Sequence, residues 1–255
     1  MTTTTHGSAA GDGAAPRKLL RLLEALGSSE GRTQLASLAR EAGMAKSTAH
    51  RLLGVLVSEG WAAVHDGGSY ELGPRARALA AAAMRDPVNA SVDGVLQDLS
   101  RTVSQTVHLG LAAGDHFIYT HKVEGPQGFG IASHVGMRQL LHSTAIGKCI
   151  LAGMQDTEVA ELVGRTGLAA RTPRTHQTLE ALLDDLSRIR AQGFALDEEE
   201  NEANIRCLAV PVQTGGRTVG AVSISTVTLL TDLDSVRGFV PAARAAASRV
   251  QELLA

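Results

Sequence analysis

Two short amphipathic segments separated by a glycine turn occupy residues 33–60, and this pattern restricts the possible fold more than any other feature of the sequence. In the first segment, apolar residues recur every three or four positions until Gly43, which predicts a helix of about two turns. The second segment begins at Lys46 or Ser47 and runs to Glu59, and it predicts a longer helix that Gly60 ends. Two short helices joined by a turn of three or four residues that contains glycine form the helix-turn-helix motif.

The flanking segments extend this motif into a winged helix-turn-helix domain. Apolar residues before the motif have helical spacing, so one more helix, ended by Gly27, is expected there. After the motif, the sequence WAAVHDGGSYEL places an Asp-Gly-Gly turn at 66–68 between two strand-like runs, which is typical of a β-hairpin. Thr33 is positioned to cap the first helix of the motif. The sequence therefore predicts three helices and a hairpin over residues 17–73.

The second helix of the motif collects hydrogen-bond donors on one face. On a helical wheel, Ala49, Leu52 and Leu53 lie together, whereas Ser47 and Arg51 lie near the opposite side. A helix that reads DNA needs this arrangement, because its apolar face holds it to the domain while its first two turns enter the major groove. The alternative is a polar face that meets only solvent. The predicted DNA contacts are Thr33, Lys46, Ser47, Thr48, His50, Arg51 and His65.

The predicted roles differ within this set. Arg51 can donate two parallel hydrogen bonds to guanine, so it is the predicted base-reading residue. Ser47 and Thr48 are predicted to contact phosphate, and His50 suits either role. His65, in the hairpin, is predicted to touch the DNA backbone, although an exposed wing residue without a contact is the alternative.

The charge of the chain is divided unevenly along its length. The formal net charge is −2, but residues 17–85 contain ten basic and six acidic residues, whereas residues 86–255 contain fourteen and nineteen. A basic first part and an acidic second part indicate two domains with different partners. The near-neutral total argues against nonspecific coating of nucleic acid.

Composition also sets the domain boundaries that we predict. Residues 1–16 are expected to be a disordered tail, residues 74–85 an alanine-rich linker helix opened by Pro74, and residues 86–255 a second domain. The chain shows neither a signal peptide nor an apolar run of membrane-spanning length, so no membrane partner is expected. Its two cysteines have no zinc or disulfide spacing, which favours free thiols in a cytoplasmic protein.

The second domain alternates groups of strands with helices. The sequence TVHLGLAAGDHFIYTHKV predicts two strands around a turn, GFGIASHV a third, and FALD, RCLAVPV and TVGAVSIS three more. Helices are predicted from about Ser143, Thr157 and Thr178, with a closing helix at the end of the chain. Because most strands are joined by hairpins, we predict an antiparallel α+β domain rather than a doubly wound one.

Three features of this domain indicate a site for a small carboxylate. In the last two strands, alternation places Cys207, Ser223 and Ser225 on the face opposite the large apolar residues, which leaves space for a ligand. Ser143 or Thr144 can cap a helix whose first amides, those of Ala145 and Ile146, attract anions. Asp197, at the end of a strand, can accept a hydrogen bond from a ligand hydroxyl. The alternative is a face that meets solvent or a closely packed helix.

Enzymatic interpretations have weaker support. Gly147-Lys148 lacks the upstream glycine and the following Ser or Thr of a phosphate-binding loop. Cys207 with His142 as its base would make a small cysteine-dependent hydrolase, but a cysteine in an apolar strand is usually inert packing. The nine histidines show no metal-ligand spacing, so we expect no catalytic residues, no metal and no cofactor. A protein-docking adaptor is the other alternative.

Three motifs, in this order, resemble the IclR family of bacterial transcriptional regulators. AKSTAHRLLGVLVSEGW with YELG resembles its winged helix, while LHSTAIGKCILA and GFALDEEENEANIRCLAVPV with AVSIS resemble its effector domain. The resemblance implies a GAF-like antiparallel effector domain joined to the winged helix by a linker helix. The implied effector contacts are the backbone amides of Ala145 and Ile146 and the side chains of Asp197, Cys207, Ser223 and Ser225. Asn204 stands where the family often has glycine, and asparagine tolerates the left-handed backbone expected there.

Together these observations predict a ligand-responsive transcription factor. We expect a homodimer or homotetramer that binds a near-palindromic, double-stranded operator, since two symmetric modules read two half-sites. The resemblance implies that a small organic or aromatic acid controls this binding, and that the protein represses a catabolic operon.

Overall fold

The computed structural model describes residues 14–29, 31–126 and 132–255, apart from the side chain of Met84. The chain divides between Asp86 and Pro87 into two compact units. In the part of the chain that the structure describes, no helix is both long enough and apolar enough to cross a membrane.

The first unit is a winged helix-turn-helix, as predicted. Its three strands form an antiparallel sheet in the order β1-β3-β2. The elements in chain order are α1 (Ala14–Ser28), β1 (Thr33–Gln34), α2 (Leu35–Glu41), α3 (Lys46–Ser58), β2 (Ala62–His65), β3 (Ser69–Leu72) and α4 (Pro74–Met84).

The turn between α2 and α3 depends on Gly43, whose φ of +63° lies in the left-handed region that favours glycine. The amide of Met44 then donates to the carbonyl of Ala39 at 2.9 Å, which closes the turn. Leu38 of α2 and Leu53 of α3 are fully buried in the same apolar cluster. The turn thereby fixes the orientation of α3 relative to α2.

Three local predictions in this unit need correction. α1 begins at Ala14, so residues 14–16 are helical and do not belong to the tail expected over residues 1–16. Residues 1–13 lie outside the described residues. α1 also continues one residue beyond Gly27, where the sequence predicted its end. Thr33 does not cap α2: it pairs with Tyr70 in the small sheet, and Gln34 precedes the helix without a side-chain capping bond. Pairing with the wing extends the chain at Thr33 and moves the helix start one residue later.

The second unit is an antiparallel α+β domain, which confirms the predicted class. One sheet has the strand order β6-β5-β4-β9-β8-β7, and each neighbouring pair is antiparallel. The elements are α5 (Pro87–Val103), β4 (Thr106–Ala113), β5 (His116–Val123), β6 (Arg138–Gln139), α6 (Ala145–Ala152), α7 (Asp156–Thr166), α8 (Leu179–Gln192), β7 (Ala195–Glu198), β8 (Ile205–Thr214), β9 (Arg217–Val227), α9 (Leu233–Gly238) and α10 (Val240–Leu254).

Each face of this sheet packs against helices. Leu208 and Ile224, from neighbouring strands, join α5 and α10 in one apolar cluster. On the other face, Ala209 and Ala221 join α6, α7 and α8 in a second cluster. The small residues lie on the second face, as the alternation along β8 and β9 predicts, so α6 packs closely against the sheet there.

The predicted third strand, GFGIASHV, is wrong over residues 132–135, the part of this segment that the structure describes. Residues 127–131 lie outside the described residues, and residues 132–135 form no strand. The edge strand is the shorter β6, in which Gln139 pairs with Phe117 and Arg138 with Ile118. Which residues form the edge strand depends on where β5 lies in the folded domain. The composition of the GFGIASHV segment carries no information about that position.

Candidate functional site

The face of α3 that points away from the domain core consists of polar residues. Ala49 and Leu53 are fully buried. Lys46, Ser47, His50 and Arg51 are exposed, and Thr48 is half-buried. α3 therefore presents a continuous row of hydrogen-bond donors from its first two turns, held in place by its apolar side.

The N-terminus of α3 adds backbone donors to this row. Ala45 precedes the helix in an extended conformation, and no side chain of a described residue caps the helix. The first amides of a helix have no partner within it, and the helix dipole gives that end a partial positive charge. An anion such as a phosphate is favoured at this end, next to the ammonium group of Lys46.

Two of the predicted DNA contacts lie away from this row. Thr33 is half-buried in β1. His65, at the end of β2, lies with its Nε2 atom 3.2 Å from a carboxylate oxygen of Glu71 in the wing. The neighbouring His65 lowers the pKa of Glu71, and the charge of Arg77 acts in the same direction. His65 thus already has a partner within its own hairpin.

In the second unit, strand register brings the predicted polar residues together across the sheet. Cys207 pairs with Asp197 on one side and with Ser225 on the other. Ser223 pairs with Ala209 and with His108. These side chains lie on the sheet face that packs against α6.

The N-terminus of α6 faces the same layer. The hydroxyl of Thr144 accepts a hydrogen bond from the amide of Gly147 at 3.1 Å, so Thr144 is the cap. Ser143 instead donates to the side-chain oxygen of Asn201 at 3.1 Å. Within the described ranges, no acceptor meets the buried amides of Ala145 and Ile146. They remain available to a ligand oxygen.

A cavity of about 530 Å³ opens between β6, the segment after α7 and the ends of β8 and β9. Among the predicted effector contacts, Cys207 and Ser225 line it, whereas Ala145, Ile146, Asp197 and Ser223 are buried outside the lining set. Its lining consists of Tyr119, Ala132, Ser133, Met137, Gln139, Arg171, Thr172, Pro173, Asn201, Glu202, Ala203, Ile205, Cys207 and Ser225.

His108, which the sequence analysis did not single out, supports one wall of this cavity. Its ring lies 4.6 Å from the ring of Tyr119, and its Nε2 atom lies 2.8 Å from the hydroxyl oxygen of Ser133. Burial lowers the pKa of His108 to about 3, so the imidazole is neutral at physiological pH. Its Nδ1 atom is buried and has no hydrogen-bond partner among the described residues. A buried polar nitrogen of this kind favours a ligand or a water molecule as its partner.

Asp197 holds the turn beside the cavity. Its carboxylate accepts hydrogen bonds from the amides of Glu200 at 2.7 Å and Asn201 at 3.3 Å. Burial, with a further contribution from the charge of Glu200, raises the pKa of Asp197 to about 7. Asn204 has a φ of +65°, so it adopts the left-handed conformation for which asparagine is suited. The turn between β7 and β8 is therefore maintained with asparagine at this position.

A buried ion cluster, not found from the sequence, lies behind the turn. The ammonium nitrogen of Lys148 lies 2.7 Å from Asp185 and 2.5 Å from Glu200. His176 lies 3.4 Å from Asp185 and 3.6 Å from Glu200, so these three side chains have the types and spacing of metal ligands. The ammonium group of Lys148, however, already pairs with both carboxylates. The cluster connects α6 and α8 to the turn that carries Asn201.

The described residues do not combine Cys207 and His142 into a hydrolase site. Burial raises the pKa of the Cys207 thiol well above its usual value, and its sulfur lies 3.3 Å from the hydroxyl oxygen of Ser225. His142 hydrogen-bonds through Nε2 to the carbonyl of Ala169 at 3.0 Å. A neutral thiol without a base is a poor nucleophile. Both cysteines are free thiols, as predicted.

A winged helix with an exposed donor face, followed by an antiparallel domain containing a polar cavity, defines the class of ligand-responsive DNA-binding regulators. Residues 15–66 match the family model of the IclR helix-turn-helix domain, and residues 80–252 match that of the bacterial transcriptional regulator IclR C-terminal domain. The chain belongs to the IclR family of bacterial transcriptional regulators. It is a regulator rather than an enzyme.

Individual proteins agree with this assignment. The HTH-type transcriptional regulator XynR of Escherichia coli K12 is 34% identical over 219 residues, which cover 84% of this chain and 86% of XynR. The crystal structure of an IclR transcriptional regulator from Alicyclobacillus acidocaldarius is 26% identical, with a TM-score of 0.80 and coverage of 94% and 98%. An IclR homologue from Microbacterium hydrocarbonoxydans, crystallised with 4-hydroxybenzoate, shares the fold at 20% identity, a TM-score of 0.76 and coverage of 94% and 99%.

Proposed function

We propose that this protein is a repressor that leaves its operator when a small organic acid binds in the effector domain. The observation that carries the proposal is the outward face of α3, where exposed Lys46, Ser47, His50 and Arg51 stand beside an uncapped helix N-terminus. An ordinary surface helix needs no such combination, whereas a helix in the major groove uses each of these donors.

Each DNA contact in the proposal has a stated role. Arg51 reads guanine through two parallel hydrogen bonds. Lys46, Ser47, Thr48 and the first amides of α3 hold phosphate groups, and His50 contacts either a phosphate or a base. Thr33 in β1 and His65 in the wing make outer contacts with the DNA backbone.

The linker helix supports a dimer as the binding form. The described side chains of α4 are at most half-buried, and Leu79 is 61% exposed. Leu20 of α1 is 58% exposed as well. A second copy would remove these apolar surfaces from water, because exposed apolar helix faces usually mark interfaces. We propose a homodimer, able to pair into a tetramer, that reads a near-palindromic operator.

The proposed division of labour follows the chain. Residues 17–73 bind DNA, residues 74–85 link the domains and residues 86–255 bind the effector. A ligand that prefers one arrangement of the dimer would shift the spacing of the two α3 helices. Because the partner is operator DNA, we place the protein in the bacterial cytoplasm.

The cavity supports a small acid as the effector. Its wall combines the ring of Tyr119 with hydroxyl, amide and thiol groups, including those of Ser225, Asn201 and Cys207. We propose that the acid enters this cavity and that its carboxylate reaches the amides of Ala145 and Ile146. Asp197 and Ser223 would complete the site, and neutral His108 would accept or donate one hydrogen bond.

Replacing Ser225 with leucine tests this proposal. The larger side chain should fill part of the cavity and abolish acid-induced release, while operator affinity in the absence of acid changes less than about twofold. A thermal-shift screen of organic acids on the wild type selects the ligand, and a fluorescence-anisotropy release assay then compares the variants. Ser187→Leu, at an exposed position of α8, is the matched control. Release by the Ser225→Leu protein at wild-type acid concentrations would contradict this location of the site.

Gly54→Ala separates DNA contact from stability. Gly54 is exposed on the outward face of α3, and an added Cβ would meet no atom within 4 Å in the free protein. Alanine should therefore stabilise the helix by about 0.5–1 kcal/mol. Bound DNA would meet that Cβ, so operator affinity should fall by about tenfold. Thermal unfolding monitored by Trp61 fluorescence and anisotropy titration measure the two effects.

The control for this variant is Gly164→Ala. Gly164 is an exposed glycine of α7 whose added Cβ would also meet no atom within 4 Å. This variant should gain stability, measured by circular dichroism because Trp61 lies in the other unit, without losing affinity for DNA. If Gly54→Ala binds the operator as tightly as the wild type does, α3 does not approach the DNA backbone at this position.

A further inference from the structure

A second cleft lies next to the proposed effector cavity. Its volume is about 640 Å³, and three of its lining residues, Met137, Gln139 and Arg171, also line the effector cavity. β6, which carries Gln139, is therefore a shared wall. A ligand that fills the first cavity and extends past Gln139 reaches the second cleft.

The cleft is basic, although the domain around it is acidic. Arg138, Arg165 and Arg171 line it together with a single carboxylate, that of Asp115. The surrounding residues 86–255 contain fourteen basic and nineteen acidic residues. Three guanidinium groups therefore give the cleft a positive charge within a domain of net negative charge. This local charge favours a negatively charged occupant.

Two of these guanidinium groups have no partner within the described part of the chain. Among the residues that the structure describes, the side chains of Arg165 and Arg171 make no hydrogen bond or ion pair. Other arginines of the domain do: Arg188 lies 3.2 Å from Asp185, and Arg190 lies 2.8 Å from Asp156. In the cleft, one nitrogen of Arg138 lies 3.1 Å from Nδ1 of His116, which orients the third guanidinium group.

We propose that this cleft is a second anion subsite of the effector site, and that the effector carries two acidic groups. The inference rests on the proposed function, which places the first acidic group in the neighbouring cavity. Arg171 lines both spaces and would contact the middle of the ligand. Arg165 and Arg138 would hold the distal group through paired N–H donors, a geometry that suits a carboxylate or a phosphate.

Isosteric ligand pairs test the proposal directly. Terephthalate and 4-carbamoylbenzoate have nearly the same shape, but only terephthalate carries the second negative charge, and adipate and its monoamide form an aliphatic pair. We expect the diacid of at least one pair to bind the full-length protein about tenfold more tightly in calorimetry. Phosphonomethylbenzoate, measured in parallel, distinguishes a preference for phosphate-like groups from one for carboxylates.

Arginine variants identify the cleft as the source of the preference. In Arg165→Gln, the ratio between the dissociation constants of the diacid and of its amide should fall to near one. Arg217→Gln removes an exposed arginine at the start of β9, far from the cleft in sequence, and should keep the tenfold ratio. The ratio should also shrink as salt increases, because it arises from charge.

The outcomes separate this inference from the proposed function. If both members of each pair bind and release DNA equally well, the second subsite does not exist, although acid sensing stands. A diacid preference that Arg165→Gln retains would likewise exclude this cleft. If none of these acids, nor any acid of the thermal-shift screen, binds, acid sensing and this inference are both overturned.

Discussion

An Arg51→Ala variant is expected to lose operator selectivity while it keeps its fold. Arg51 is exposed on α3, and alanine at this position leaves no buried group unpaired. A bidentate contact with guanine contributes about 1–3 kcal/mol of discrimination against the wrong base. Because a dimer would make the contact twice, affinity for the operator should fall by at least roughly 30-fold, toward the affinity for unrelated DNA. Titrations with operator and scrambled duplexes measure both values.

Lys46→Ala is the comparison variant that distinguishes a phosphate contact from a base contact. A lysine that contacts phosphate contributes similarly on every sequence, so its loss should weaken operator and scrambled DNA alike and reduce the salt dependence of binding by about one ion. Arg51→Ala should instead affect the operator selectively. If the two variants behave in the same way, or if Arg51→Ala protects the same bases as the wild type does, Arg51 is not the base reader.

A Lys148→Met variant should lose about 3–5 kcal/mol of effector-domain stability, the penalty for removing one partner of a buried ion cluster. Asp185 and Glu200 would then face each other without the ammonium group that lies between them. Hydrogen exchange of peptides from α6 and α8 measures the loss. Trp61 is the only tryptophan and lies in the first unit, so its fluorescence reports whether that unit stays folded.

The loss in Lys148→Met should depend on pH. Burial already raises the pKa of Glu200, and removing the charge of Lys148 removes the main opposing effect. A carboxyl group whose pKa is higher in the folded state stabilises at low pH and loses that contribution as pH rises through the folded value. The variant should therefore be closer to the wild type at pH 5 than at pH 8.

A second substitution controls for the loss of packing. Glu200→Gln added to Lys148→Met removes one of the uncompensated charges, so the double variant should be more stable than Lys148→Met alone at pH 8. A loss below about 1 kcal/mol that does not change between pH 5 and pH 8 would show that the cluster contributes little net stability.

The sequence alone determined the elements that depend on local pattern. The helix-turn-helix, the wing and the outward face of α3 follow from apolar spacing of three and four residues and from glycines such as Gly43, whose conformations are local. The small-residue face of β8 and β9 follows from two-residue alternation in the same way. Three motifs also sufficed to identify the family.

Strand register and distant packing were decided only by the tertiary structure. Asp185 lies 37 residues after Lys148 in the chain, and Glu200 lies 52 residues after it. No local sequence pattern therefore links the three residues. The cavity depends on where β6 meets β5 and on a register shift at Leu109 and Gly110, which fixes the residues that pair across β4 and β5. Local spacing specifies which side of a helix or strand is apolar, because that side is set within a few residues. Which side chains meet across a cavity depends on how separate elements pack, and that depends on the whole chain at once.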